Sequence, residues 1–114
     1  MFITSFKQKQ ILLIMSDVEN KIDPVKLGKI ADVLKVISHP VRLEVLELLQ
    51  KKEMLSVGEI REELEVEQSL LSHHLTKMKD KGVLDSFRQG KNIIYQIAIP
   101  EITNIFDCMR HCNL

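Results

Sequence analysis

Two groups of residues in this 114-residue chain have types and spacing that suit chemistry. The first lies between Gln68 and Asp80. At about 100° per residue, Ser69, Ser72, His73, Thr76 and Asp80 fall on one side of a helix whose other side carries Leu71, Leu75 and Met78. A helix that enters a DNA major groove needs this division, with one face packed and short polar side chains on the other. Gln68, at the N-terminal tip, can pair with adenine, while Ser, Thr and His donate or accept at base edges and phosphates. His73 faces the groove side and is the expected base contact. His74, on the flank of the apolar stripe, is expected to position the helix. Arg88 and Lys91, placed by this reading at the tip of a glycine turn, supply cations for the backbone or minor groove. The plain alternative is a solvated helix face followed by a solvated turn.

The second group is Asp107-Cys108-x-x-His111-Cys112. On a helix Cys108 and Cys112 are i, i+4 neighbours beside an apolar stripe, and Asp107 and His111 form a second such pair turned towards solvent. Two thiolates are half of a tetrahedral zinc site, and a two-fold mate can supply the rest. A disulfide within one helix meets a geometric limit. Helical i, i+4 Cβ atoms stand about 5–6 Å apart, whereas a disulfide needs about 3.5–4.5 Å. Redox pairing therefore requires the final turn to fray or a bond between subunits. The plain reading is that Cys112 packs as a small hydrophobe and that Cys108 and His111 are incidental. A catalytic Cys–His pair would need an oxyanion site or an enclosed pocket, and no motif suggests one.

The elements that must position these residues fit one domain. Sixteen Lys and Arg balance sixteen Asp and Glu, hydrophobic residues make up 45%, and mean hydropathy is near zero. That composition excludes disorder driven by net charge, and it excludes coating of nucleic acid by bulk basicity. Aromatics at 4% argue against a stacking platform for single strands. The neutral balance hides opposed fields, since residues 69–97 sum to +3 and residues 59–67 to −4. No apolar run reaches the length of a membrane span, no signal peptide is evident, and the two cysteines make no disulfide framework. The expected location is the cytoplasm.

Residues 1–22 lack a clean period and read as an arm, with Met15 before Ser16-Asp17 an alternative start of translation. Residues 23–114 read as the folded domain. Asp23-Pro24 opens a first helix with Leu27, Ile30, Ala31, Leu34 and Ile37 at helical spacing. Val33 and Val36 widen its stripe, so it needs both its own core and another subunit to cover it. Ser38-His39-Pro40 separates it from a second helix ending at Lys51-Lys52. Ser56-Val57-Gly58-Glu59 is a capping box for a short third helix. The fourth runs from about Gln68 to Lys81 and stops at Gly82. Strands at Val83-Leu84 and Ile93–Ile97 then flank a turn at residues 88–92, and Pro100 opens a last helix with Ile102, Ile105, Phe106 and Met109 on one face. Four helices, a hairpin and a helix make a mainly α chain with a β-hairpin wing, a winged helix-turn-helix.

His39-Pro40-Val41-Arg42-Leu43-Glu44-Val45-Leu46-Glu47-Leu48-Leu49 resembles the "HPxRLxILxLL" helix of the arsenical-resistance repressor (ArsR/SmtB-type) regulators. Glu67-Gln68-Ser69-Leu70-Leu71-Ser72-His73-His74-Leu75 is similar to their "SQSxxSxHL" recognition helix. Lys81-Gly82-Val83-Leu84, Arg88-Gln89-Gly90-Lys91 and Tyr95-Gln96-Ile97 are similar to "xGLV", "RxGR" and "YxL". The resemblance runs from about Leu27 to Ile97. It implies a homodimeric repressor, dimerising through the first and last helices, on an inverted-repeat operator in double-stranded DNA. It carries Gln68, Ser69, Ser72 and His73 over as DNA contacts, and Arg88 and Lys91 as wing contacts.

The chain departs from the family at informative places. Glu67 stands where the family often has Ser, next to an acidic stretch unfavourable to phosphate. The family's "CVCDL" metal pattern is here Ser56-Val57-Gly58-Glu59-Ile60, without the thiolates that soft metals need. Ile99 and Glu101 replace the Asp and His of its last-helix zinc site, where only Cys112 falls on a ligand position. The expectation is a DNA-binding repressor and not an enzyme, with an unidentified inducer and no firm cofactor. A transition metal such as zinc is the candidate, through Cys108, Cys112, His111 and Asp107. The alternatives are a winged-helix module for protein–protein contact and, more remotely, a small thiol enzyme.

Overall fold

The computed structural model of the chain describes residues 20–114, so most of the N-terminal arm and the alternative start at Met15 lie outside the described residues. The described chain divides between Ala31 and Asp32 into two units. Helix α1 (Pro24–Ile37) begins in the first, with Leu27 N–H donating to Asp23 C=O behind the proline. Residues 32–114 then hold α2 (Pro40–Lys52), β1 (Met54–Ser56), α3 (Val57–Leu64), α4 (Gln68–Asp80), β2 (Leu84–Gln89), β3 (Asn92–Ile97) and α5 (Ile102–Arg110).

The core of the second unit forms where α2, α3 and α4 turn their apolar stripes together over the sheet. Val45, Leu46 and Leu49 from α2, Ile60 from α3, and Leu71, Leu75 and Met78 from α4 are buried with Val83 and Leu84. Ile102 and Phe106 of α5 join them, and Arg110 Nη2 donates to Gln50 Oε1 of α2 at 3.1 Å. Only Ile37 of α1 is fully buried. Val33 and Val36 pack partly on the core, while Leu27, Ile30 and Leu34 stay exposed. Among the described residues no helix is long and apolar enough to cross a membrane.

Three features differ from the expectation. Residues 54–56 form a third strand, so the sheet is antiparallel with order β1-β3-β2. Leu55 pairs with Tyr95 and Ser56 with Ile94. The strand has only three residues between a helix end and a helix cap, too few to show an alternation. The hairpin is also longer than its sequence suggests. Gln89 pairs with Asn92, and a two-residue turn of Gly90 (φ +64°) and Lys91 replaces the expected five-residue loop. Glycine at the first turn position takes the positive φ that a tight hairpin needs. In consequence Arg88 lies within β2, opposite Ile93, and Lys91 alone of the two cations sits at the tip.

Candidate nucleic-acid interface

The first helix of the helix-turn-helix begins as its sequence dictates. Ser56 Oγ accepts from Glu59 N–H at 3.1 Å, and Glu59 Oε1 accepts from Ser56 N–H at 3.0 Å, so two donors left over at the helix start are satisfied reciprocally. Those bonds hold the exposed Glu59 carboxyl below the usual range. The turn is made by Glu65 in the left-handed conformation (φ 52°, ψ 40°), its N–H returning to Arg61 C=O. A non-glycine residue there stores about 1–2 kcal/mol, a cost the turn geometry imposes.

Helix α4 is two-sided as required. Leu71, Leu75 and Met78 are fully buried, whereas Gln68, Ser69, His73 and Thr76 are exposed and Ser72 is half-buried. Its far end closes in a Schellman turn, with Gly82 N–H on Lys79 C=O and Val83 N–H on Met78 C=O. The left-handed Gly82 (φ +77°) permits it, and Val83 packs in the core just beyond.

The expected contacts fall into separate places. Gln68, Ser72 and Lys91 come together around a cleft of about 450 Å3 between α3, the start of α4 and the wing tip. Arg61 and Asn92, not anticipated from sequence, line it too. Arg61 Nη1 donates to Gln68 Oε1 at 2.8 Å, which leaves the amide NH2 of Gln68 as its donor for a further partner. Arg88 instead shares a cleft of about 250 Å3 with Lys79 of α4 and Tyr95 of β3. His73 and Thr76 line neither cleft and stand free on the exposed side of α4. Ser69 Oγ donates to Glu67 Oε1 at 2.7 Å, so the acid at the mouth of the helix occupies the hydroxyl expected to meet DNA. Sequence reasoning could have found Arg61 as the one cation within the acidic stretch, seven residues before Gln68. The ring of His74 is buried against α2, as its place on the flank of the stripe suggested.

The C-terminal group does not assemble in the same way. Cys108 and Cys112 are both free and exposed. Asp107 is bound to Arg110 (Oδ1–Nη1 2.9 Å), and His111 Nδ1 lies 2.7 Å from Asp107 C=O, an acceptor that places the proton on Nδ1. Among the described residues no three His, Cys, Asp or Glu side chains converge as a metal site. The described residues of one chain do not by themselves supply a zinc site.

A model of the bacterial regulatory proteins of the arsR family matches residues 39–86, from the start of α2 to the middle of β2. The transcriptional repressor PagR of Bacillus anthracis is 40% identical over 88 residues, which is 77% of this chain and 88% of that protein. Its crystal structure superposes with a TM-score of 0.70 at 37% identity, covering 76% of this chain and 99% of that one. The transcriptional repressor BigR of Xylella fastidiosa superposes with a TM-score of 0.70 at 25% identity, covering 88% of this chain and 98% of that one.

Proposed function

The chain belongs to the arsR family of bacterial regulatory proteins, and from that premise we propose that it represses transcription by docking α4 into the major groove of double-stranded DNA. The carrying observation is the two-sidedness of α4 beside a wing. Its apolar stripe is sealed in the core while Gln68, Ser72 and Lys91 meet around one open cleft. In this reading Gln68, Ser69, Ser72, His73 and Thr76 contact base edges and phosphates, and Arg88 and Lys91 hold the backbone beside them. The relatives are regulators, and no residue here is assigned a catalytic role.

A homodimer on an inverted repeat is the working form. Two copies of α4 then stand about one helical turn of DNA apart, roughly 34–36 Å. The exposed Leu27, Ile30 and Leu34 of α1 and the exposed Met109 of α5 support a second copy as what covers these helices. The protein acts in the cytoplasm. Inducer sensing falls to the C-terminal cysteines, with zinc and oxidation as the two chemistries to separate.

One measurement tests repression and signal together. Fluorescence anisotropy on the DNA upstream of the protein's own gene is repeated with zinc, oxidant and reductant. The expected result is salt-dependent binding that one of these additions weakens. Flat, salt-insensitive behaviour towards every duplex ends the DNA reading and favours a protein-binding module.

A further inference from the structure

Where α1, α2 and α4 meet, within residues 32–114, a polar cluster has one buried member, His74, beside the half-buried Arg42 and the exposed His39 and His73. His74 of α4 is 4% exposed, between Leu71 and Met78 on the buried stripe. Its Nδ1 accepts from Arg42 Nε at 3.0 Å. The same guanidinium donates through Nη1 to Val36 C=O, in the last turn of α1, at 2.7 Å. One Arg side chain thus joins the end of α1 to the recognition helix. The His39 ring lies 4.3 Å from that of His74 between centroids, and His39 Nδ1 is occupied by Val41 N–H. His73, the next residue on α4, has its ring at 5.8 Å.

Because Arg42 can only donate, Nδ1 of His74 must carry a lone pair, and the ring is neutral with its proton on Nε2. That Nε2 is fully buried with no partner. A buried N–H left unpaired costs stability, so the ring is held here for the bond on its other side. Burial first, and then the charges of His39, Arg42 and His73, keep the His74 pKa below its usual 6.5. None of these three neighbours is a carboxylate that would stabilise an imidazolium. A proton taken from solvent at Nδ1 removes the only acceptor for Arg42 Nε and sets two cations face to face.

We propose that Arg42 is a positioning residue for DNA recognition, holding α4 against the end of α1 through neutral His74, and that protonation of His74 releases this hold and lowers DNA affinity. The inference rests on α4 being the DNA-reading helix. It adds how that helix is held and what undoes the hold.

The test is DNA affinity by anisotropy between about pH 8 and pH 5, the range in which histidine titrates. For the unmodified chain, affinity falls about tenfold or more across this range, equivalent to about 1.4 kcal/mol. His74→Asn keeps an oxygen acceptor for Arg42 without titrating. Its affinity does not fall on acidification. Arg42→Gln binds more weakly at the alkaline end, has a flattened profile, and raises the His74 pKa read by imidazole 15N NMR. That NMR readout needs no DNA and serves even if the Asn variant does not fold. An affinity that holds or rises on acidification in the unmodified chain, an unchanged fall in His74→Asn, or an unmoved His74 pKa in Arg42→Gln overturns the proposal. Absence of binding to any duplex at the alkaline end overturns the DNA reading itself.

Discussion

The two ends of this chain's chemistry, the α4–wing face and the tail of α5, are made of equally suggestive residues and differ in what surrounds them. On α4, the polar positions of interest stand on a helix whose opposite side is buried. Leu71 and Leu75 are fully buried beneath Ser69, Ser72 and His73, a reciprocal cap starts α3, and a Schellman turn ends α4. On α5 the inward side is held by Ile102 and Phe106, but Asp107, Cys108, His111 and Cys112 all lie on exposed turns with only local hydrogen bonds. The two faces therefore differ less in residue types than in the packing behind them.

This difference can be pressed hardest at the core. Leu75→Ala should cost about 2–5 kcal/mol and bring the chain close to unfolding, whereas Cys112→Ala should stay within about 0.5 kcal/mol. Paired denaturant titrations measure both. Similar losses for the two would mean that the C-terminal turn is as firmly packed as α4, and the contrast would collapse.

Within the proposed DNA face, the next largest effects separate reading from holding. His73→Ala should reduce discrimination between duplexes by about 1–3 kcal/mol. Arg88→Ala should weaken all duplexes alike and lower the salt slope by about one. Selection from random duplexes followed by salt titration distinguishes them, and a uniform loss in both variants would show that α4 holds without reading.

The smallest effect concerns the helix that orients α4. Ser56→Ala should cost about 1 kcal/mol by removing a cap. The Glu59 half of that cap has a depressed pKa, so its contribution is present above the usual carboxylate range and is lost as pH falls through the lowered value. Thermal melts of the unmodified chain and a Glu59→Gln variant should therefore converge in acid, whereas the Ser56→Ala loss, which rests on the Glu59 backbone N–H, persists there. Glu59→Gln curves that remain parallel to those of the unmodified chain down to the lowest pH would exclude the Glu59 half of the cap as the source.

Much of this was legible in the residues themselves. The stripe of α4, the Ser56–Glu59 box and the stop at Gly82 are local patterns, and local physics decides them. Local pattern fails where a partner far along the chain decides the outcome. Met54–Ser56 is a strand only because β3 lies beside it, and Arg88 leaves the tip because the ladder continues to Gln89 and Asn92. The period of α1 identifies an apolar side, but Leu27, Ile30 and Leu34 are exposed because periodicity does not say whose core that side will join. Arg42 and His74 stand 32 residues apart, and nothing in either segment announces the bond between them.

Ser56 belongs to two elements at once, as the last residue of β1, paired with Ile94 of the wing, and as the cap of α3. The start of the helix-turn-helix is thus tied directly to a strand of the wing through one residue. For a protein that reads DNA this makes a ruler. In the proposed docking, the offset between Gln68 and Lys91 across their common cleft would make the spacing between the bases met by the helix and the flank met by the wing a property of the protein rather than of the operator.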